Sequence, residues 1–312
     1  MTHRPLVLVH GRSQQHKDPD ELKRQWLDAL AEGLDRAGTP LTLDESAVTF
    51  PYYGDTLDQL TAGQDVGTAA AVQLRGPGED AEQAQFTADL VRLMARAEGL
   101  TDQDEQALTD EPGVIERWPG DRPTVTRLLA WLDRRPLLSA VTLERFTRDV
   151  LTYLRDRLVR ETIDDGVADA LWPGEETVVV GHSLGSVVAY ALLRERAELE
   201  DWRVPLLVTL GSPLGVREIR DRIVARRPPT RCPTGVRAWF NARDPRDLVA
   251  LFPLGPHTFP LEPERPAIEN DDAVVNETEN RHGITGYLTD PHVAACIHAG
   301  LTRRPLPTRP PR

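Results

Sequence analysis

The chain has 312 residues, 49 acidic against 37 basic, for a formal net charge of −12. That length holds one α/β core with an insertion, and the acidic balance argues against nucleic acid and, on average, against an anionic membrane surface, since both demand a concentrated basic face. Cys232 and Cys296 are the only cysteines; they form no disulfide framework or metal-ligand spacing, which leads to the expectation of a cytoplasmic protein. No apolar run reaches the roughly 18 residues of a membrane span, and the first apolar stretch is too short for a signal sequence.

Leu6-Val7-Leu8-Val9 is an unbroken leucine and valine run and predicts a strand buried on both faces of a parallel sheet. His10-Gly11-Arg12-Ser13 turns off its end. Over Asp20 to Ala37, apolar residues fall at Leu22, Trp26, Leu27, Leu30 and Leu34, one face of a helix closed by Gly38 and Pro40. Ala47 to Phe50 reads as a second strand, ending at Pro51 in the loop Tyr52-Tyr53-Gly54-Asp55, whose tyrosines read as packing residues first and substrate contacts second.

From about Thr56 to Ala140 the α/β rhythm breaks. Phe86, Leu90, Leu93 and Met94 predict a helix over Asp80 to Ala97 with one solvated face, while Asp102-Gln103-Asp104-Glu105 reads as solvated loop without metal-site spacing. Trp118 to Leu143 is richer in large apolar residues, among them Leu128, Leu129, Trp131, Leu132, Leu137 and Leu138. So long an excursion between two core strands must hold helices of its own. Leu143 to Leu171, with Phe146, Val150, Leu151, Leu154, Leu158 and Ile163 three and four apart, predicts one helix returning the chain to the central strand.

The densest signal follows. Thr177-Val178-Val179-Val180 runs into Gly181-His182-Ser183-Leu184-Gly185, and an apolar helix pattern from Ser186 to about Leu199 begins at once. A strand, a turn with glycine on both sides of a serine, and a helix whose amides point back at that serine are what an exposed nucleophile requires. Val204 to Leu210 predicts the next strand, ending in Gly211-Ser212-Pro213; Ser212, with no glycine two residues before or after it, lacks the elbow pattern of a rival nucleophile. Val236 to Phe240 predicts another strand, Pro291 to Leu301 a last helix, and Arg303 to Arg312 a loosely ordered tail rich in proline and arginine.

The strand, Gly-x-Ser-x-Gly turn and helix around Ser183 resemble the nucleophile elbow of the α/β-hydrolase superfamily, with a likeness to lipase-like and inositol-deacylase-like serine hydrolases over most of residues 5 to 300. The resemblance implies an α/β-hydrolase fold: a mostly parallel sheet flanked by helices, a single domain over residues 1–312, a helical cap or lid over 56–142 that shapes an acyl pocket, and a flexible tail over 303–312. It implies Ser183 as nucleophile and an oxyanion hole built from the amide of Leu184 and that of Arg12, or of Ser13 if the loop is set one residue later. The Gly211-Ser212-Pro213 stretch is similar to one that walls the nucleophile in lipases.

Acid and base follow the serine in that superfamily. Arg246-Asp247-Leu248-Val249 is similar to the Arg-Asp-Ile-Val run whose aspartate is the acid of lipase triads, which points to Asp247; a helix N-cap is its competing role. Asp244, ahead of Pro245, is the alternative acid and has the habit of a turn former. Four histidines lie downstream. His282 sits between the polar loop Asn276 to Asn280 and Gly283, with Tyr287 and the last helix behind it, where the resembling hydrolases keep their base. His257, in a proline-rich loop, is the alternative, and His292 and His298 read as helix residues. His10 and His182 read as packing residues beside the site, without a proton-transfer role.

The expected function is hydrolysis of a carboxylic ester through an acyl-enzyme, of lipase or esterase type, on a small-molecule or lipid ester. No metal or organic cofactor, nucleic acid or integral membrane segment enters it. A lipid acyltransferase or thioesterase would use the same residues, and a ligand-binding protein that kept the shape and lost the chemistry is the reading from another class. Acyl length and oligomeric state stay open.

Overall fold

Runs rich in valine and leucine set the central strands. In the computed structural model, which describes residues 3–12, 14–66, 77–109, 127–128, 131–132 and 140–310, β1 (Leu6–Val9), β2 (Val48–Thr49), β3 (Val178–His182), β4 (Leu207–Leu210), β5 (Trp239–Ala242) and β6 (Ile268–Asp271) form one sheet. Its order is β2-β1-β3-β4-β5-β6 and every neighbouring pair is parallel. Val9 lies opposite Gly181, and Gly181 opposite Thr209. All carboxyl ends therefore share one edge, and the strand order reverses between β1 and β3, which opens a crevice there.

The described chain divides into two compact units, Met1–Thr56 with Glu161–Arg312, and Leu57–Arg160. In the first, one face of the sheet packs Leu6, Leu8, Val178, Val180, Val208 and Phe240 against Trp26, Leu30 and Leu34 of the helix Pro19–Arg36 and against Leu288, Val293 and Ile297 of the helices Ile284–Leu288 and Pro291–Thr302. Full burial of side chains this size contributes about 1.5–3 kcal/mol each. Helix Leu184–Arg196 covers the opposite face, where the Tyr190 ring stacks on Trp239 at 5.2 Å. Asp18 starts the first helix by accepting the amides of Asp20 and Glu21.

The structure departs from the sequence expectations where local capping beats hydrophobic period. Asp102–Thr109 is helix, not loop, because Thr101 and Asp104 exchange bonds in a capping box: Asp104 N donates to Thr101 Oγ1 at 3.1 Å and Thr101 N to Asp104 Oδ2 at 3.0 Å. The helix expected over Leu143 to Leu171 is two, Ala140–Arg155 and Arg157–Ala168, since Asp156 Oδ1 takes the amides of Leu158 and Val159 and caps the second. The strand expected over Val236 to Phe240 runs instead over Trp239–Ala242, with Val236 outside it in an isolated bridge to Val204. Most of the segment Trp118 to Leu143 lies outside the described residues; Leu128 and Leu132 are buried. Among the described residues no helix is long and apolar enough to cross a membrane.

The end of the chain is tied to β6. Arg309 bridges Asp271 and Asp290 at 2.7 Å each, and His292 faces Asp271 through Nδ1 (2.7 Å) and the Pro307 carbonyl through Nε2 (3.0 Å). Two acceptors on one imidazole call for hydrogen on both nitrogens. Burial alone would lower the His292 pKa, but its bonds to Asp271 and Pro307 outweigh it and the net shift is upward. Burial likewise opposes the ionised Asp271, yet the His292, Ala273 and Arg309 bonds hold its pKa down. A raised histidine stabilises the fold below its unfolded pKa of about 6.5 and loses that contribution as pH climbs through the folded value; a depressed aspartate loses its own as pH falls below about 4. We expect His292→Ala to cost about 1–3 kcal/mol near pH 5.5 and clearly less near pH 8.5, read by denaturant unfolding; a penalty that does not change between the two would contradict the clamp.

Candidate active site

Ser183 stands at the end of β3 with φ 53° and ψ −126°, as the residue before helix Leu184–Arg196. A side-chain-bearing residue held there stores about 1–3 kcal/mol, so its neighbours must over-determine it. They do. Ser183 N donates to Leu210 O and Ser186 N to Ser183 O, each at 3.0 Å, and Ser186 Oγ donates to Ser183 O at 2.5 Å while lying 2.8 Å from Ser212 Oγ. Ser212 also accepts the Leu214 amide and so braces the turn. The two glycines answer to close approach: a Cβ on Gly185 would sit 2.2 Å from the Val9 carbonyl oxygen, and one on Gly181 2.8 Å from the Gly185 oxygen. Both obstacles are backbone, which cannot swing aside.

Three distant side chains meet here. His282 Nε2 lies 2.8 Å from Ser183 Oγ, and His282 Nδ1 lies 2.7 Å from Asp247 Oδ2. Asp247 is buried, and its other oxygen takes the Val249 amide at 2.9 Å, so the carboxylate ties down its own turn and faces the imidazole at once. Asp244 also ties down its own turn but does not face His282. Its carboxylate is spent on Arg246 and on the Asn276 amide at 2.8 Å; burial would raise its pKa, but those bonds bring it down on balance.

The polar loop before His282 is a bracket for it. Asn280 Oδ1 accepts the His282 amide at 3.1 Å, Thr278 Oγ1 accepts the Gly283 amide at 2.9 Å, and Asn276 Nδ2 donates to the Gly283 carbonyl at 2.8 Å. His182 adds a fourth tie, donating from Nε2 to the His282 carbonyl at 2.8 Å. Burial first, then the neighbouring His282, pushes the His182 pKa well below its ordinary value. Burial also lowers His10 to about 4. Both rings are thus neutral near pH 7. His10 is fixed by the Tyr53 amide at 3.0 Å and by the Tyr53 ring stacked on it at 4.0 Å, which makes Tyr53 a packing residue.

Leu184 opens its helix, so its amide has no partner inside that helix. The loop after β1 lies against the serine: a Cβ on Gly11 would stand 2.9 Å from Ser183 Cβ, which puts Arg12 next to the site, while Ser13 lies outside the described residues. His257 is exposed on its loop, and His292 and His298 belong to the last helix. The sequence marked Gly211 only as part of a wall beside the nucleophile and Tyr287 only as the tyrosine behind His282; the structure adds that Gly211, with φ 55°, leaves room beside Asp247 and His282, and that the Tyr287 hydroxyl reaches Asp247. Among the described residues no group of three His, Cys, Asp or Glu is placed to hold a metal ion.

Sheet and helices together define an α/β protein with a six-stranded parallel sheet, its polar cluster at the carboxyl edge where the strand order reverses. Comparison with known protein families, with curated proteins and with solved structures found no significant match.

Proposed function

We propose that the protein is a serine hydrolase of the α/β-hydrolase kind that cleaves carboxylic esters through an acyl-enzyme. The observation that carries this reading is the unbroken line of hydrogen bonds from Ser183 Oγ through His282 to Asp247 on a strained, over-determined turn. In it, Ser183 attacks the ester carbonyl as His282 Nε2 takes its proton. Asp247 holds Nδ1–H and stabilises the imidazolium without accepting the proton. The oxyanion is held by the amides of Leu184 and Arg12. His282 then hands its proton to the departing alcohol, and a water, deprotonated by the same nitrogen, releases the acid and restores Ser183. Every proton in this cycle moves through one imidazole, which suits a site whose other two histidines are kept neutral. Selection of acyl length by residues 56–142 belongs to the same proposal.

The test is covalent. A fluorophosphonate probe should label the wild-type chain at Ser183, located by peptide mass mapping, and a panel of p-nitrophenyl esters from short to long chain, run beside phospholipid and triglyceride emulsions, should show turnover. An unlabelled protein that binds an ester unchanged would favour a ligand-binding role and end the hydrolase reading. Labelling with transfer to an alcohol faster than to water would move it to an acyltransferase.

A further inference from the structure

Tyr287 is fully buried in the short helix Ile284–Leu288. Its hydroxyl stands 2.6 Å from Asp247 Oδ2, the same oxygen that faces His282 Nδ1, and 3.2 Å from the amide nitrogen of Asp244. Chemistry sets the directions. The Asp244 amide can only donate, so the tyrosine oxygen accepts from it and sends its own hydrogen to the carboxylate. Burial and then the charge of Asp247 push the phenol well above its ordinary range, so that hydrogen stays on. Gly211 makes the meeting possible, since a Cβ there would lie 3.0 Å from Tyr287 Cε2, 3.1 Å from Asp247 Oδ2 and 3.2 Å from His282 Cε1.

We propose that Tyr287 is a positioning residue that sets the basicity of His282 by sharing Asp247 Oδ2 with its Nδ1–H. The inference deepens the ester-hydrolase reading and rests on it for its role in turnover. A carboxylate oxygen that already takes one strong donor offers less negative charge to a second. The imidazolium formed during reaction is then held less tightly than by an unshared carboxylate. Bonds from Tyr287 to Oδ2 and from Val249 N to Oδ1 also fix the carboxylate plane. The groups around the imidazole are Ser183 and neutral His182 from the end of β3, Asp247 from the loop after β5, and Tyr287 from the helix behind; Asp244 meets the tyrosine through its amide while Arg246 neutralises its side chain.

Tyr287→Phe keeps the ring and removes only the hydroxyl. NMR titration of the His282 ring in wild type and variant, with its signals assigned by their loss in His282→Gln, should show a midpoint raised by about 0.5–1 pH unit in Tyr287→Phe. The acid limb of ester hydrolysis should move the same way. A folded variant with an unmoved midpoint overturns the proposal, because a purely structural tyrosine would alter stability and leave the titration alone. Should Tyr287→Phe fail to fold, 3-fluorotyrosine at position 287, a stronger donor, should lower the midpoint; no change there overturns it equally. Fluorophosphonate labelling of the wild type reads the parent claim separately: a shifted midpoint in an unlabelled protein keeps the coupling and discards the hydrolase, whereas labelling without a shift discards only the tyrosine's role.

Discussion

Ser183→Ala is expected to abolish probe labelling and to lower kcat on any accepted ester by roughly 10⁴-fold or more, with His282→Ala within about tenfold of it. The two losses should not multiply. Serine without the imidazole keeps its proton, and the imidazole without serine has nothing to deprotonate, so the double variant should be about as slow as either single one. What remains above the uncatalysed rate would come from the proposed oxyanion donors, the amides of Leu184 and Arg12. Stability should change little, because alanine at 183 gives up one hydrogen bond to His282 and keeps the Cβ whose strained position the surrounding bonds maintain. Measured by single-turnover kinetics on a chromogenic ester, additive losses in the double variant would mean that the two residues act apart, and the proposed proton path would fall.

Much of this arrangement was legible in the chain before any coordinates. The valine run 178–180 and the two glycines around Ser183 announce both strand and turn, because buried parallel strands tolerate few other residues and a Cβ on either glycine would meet backbone at 2.2 or 2.8 Å. His282 stood out through its place between the polar loop 276–280 and Tyr287 with the last helix, where the resembling hydrolases keep their base; that the loop's side chains bracket the histidine is seen only in the structure. Other features carried no such mark. β6 reads Ile-Glu-Asn-Asp, an edge strand with too little apolar surface for any period, and it is held by Asn241 Nδ2 donating to Asn270 Oδ1 at 2.9 Å as well as by the ladder. The break at Asp156 was hidden because heptad-like spacing continues straight through a capping aspartate. Tyr287 was legible only as the tyrosine behind His282 in the resemblance; the part of its hydroxyl was not, because only the fold brings it to a carboxylate forty positions away.

Asp247→Asn should separate the two aspartates that the sequence left in competition. Asparagine keeps shape and volume but offers an NH₂ group or a neutral oxygen where the ring needs a charged acceptor, so the imidazole loses its preferred tautomer and the imidazolium its counter-charge. The expected result is a fall in kcat of roughly 10³–10⁴-fold with KM little changed. Asp244→Asn should behave otherwise. That carboxylate closes its own turn with Arg246 and holds the Asn276 amide, which starts the loop bracketing His282. Its loss should cost about 1–3 kcal/mol of stability and leave kcat within about tenfold of wild type, since His282 keeps three other ties. The pH signs follow from its depressed pKa: Asp244 stabilises the fold above the unfolded value near 4 and stops doing so as the pH falls through the folded one, so the Asp244→Asn penalty should fade in acid. An inverted pattern, with Asp244→Asn the slow enzyme and Asp247→Asn the unstable one, would mean that the 2.7 Å contact between Asp247 and His282 is a loop tether and that the acid acts from the other side of the turn.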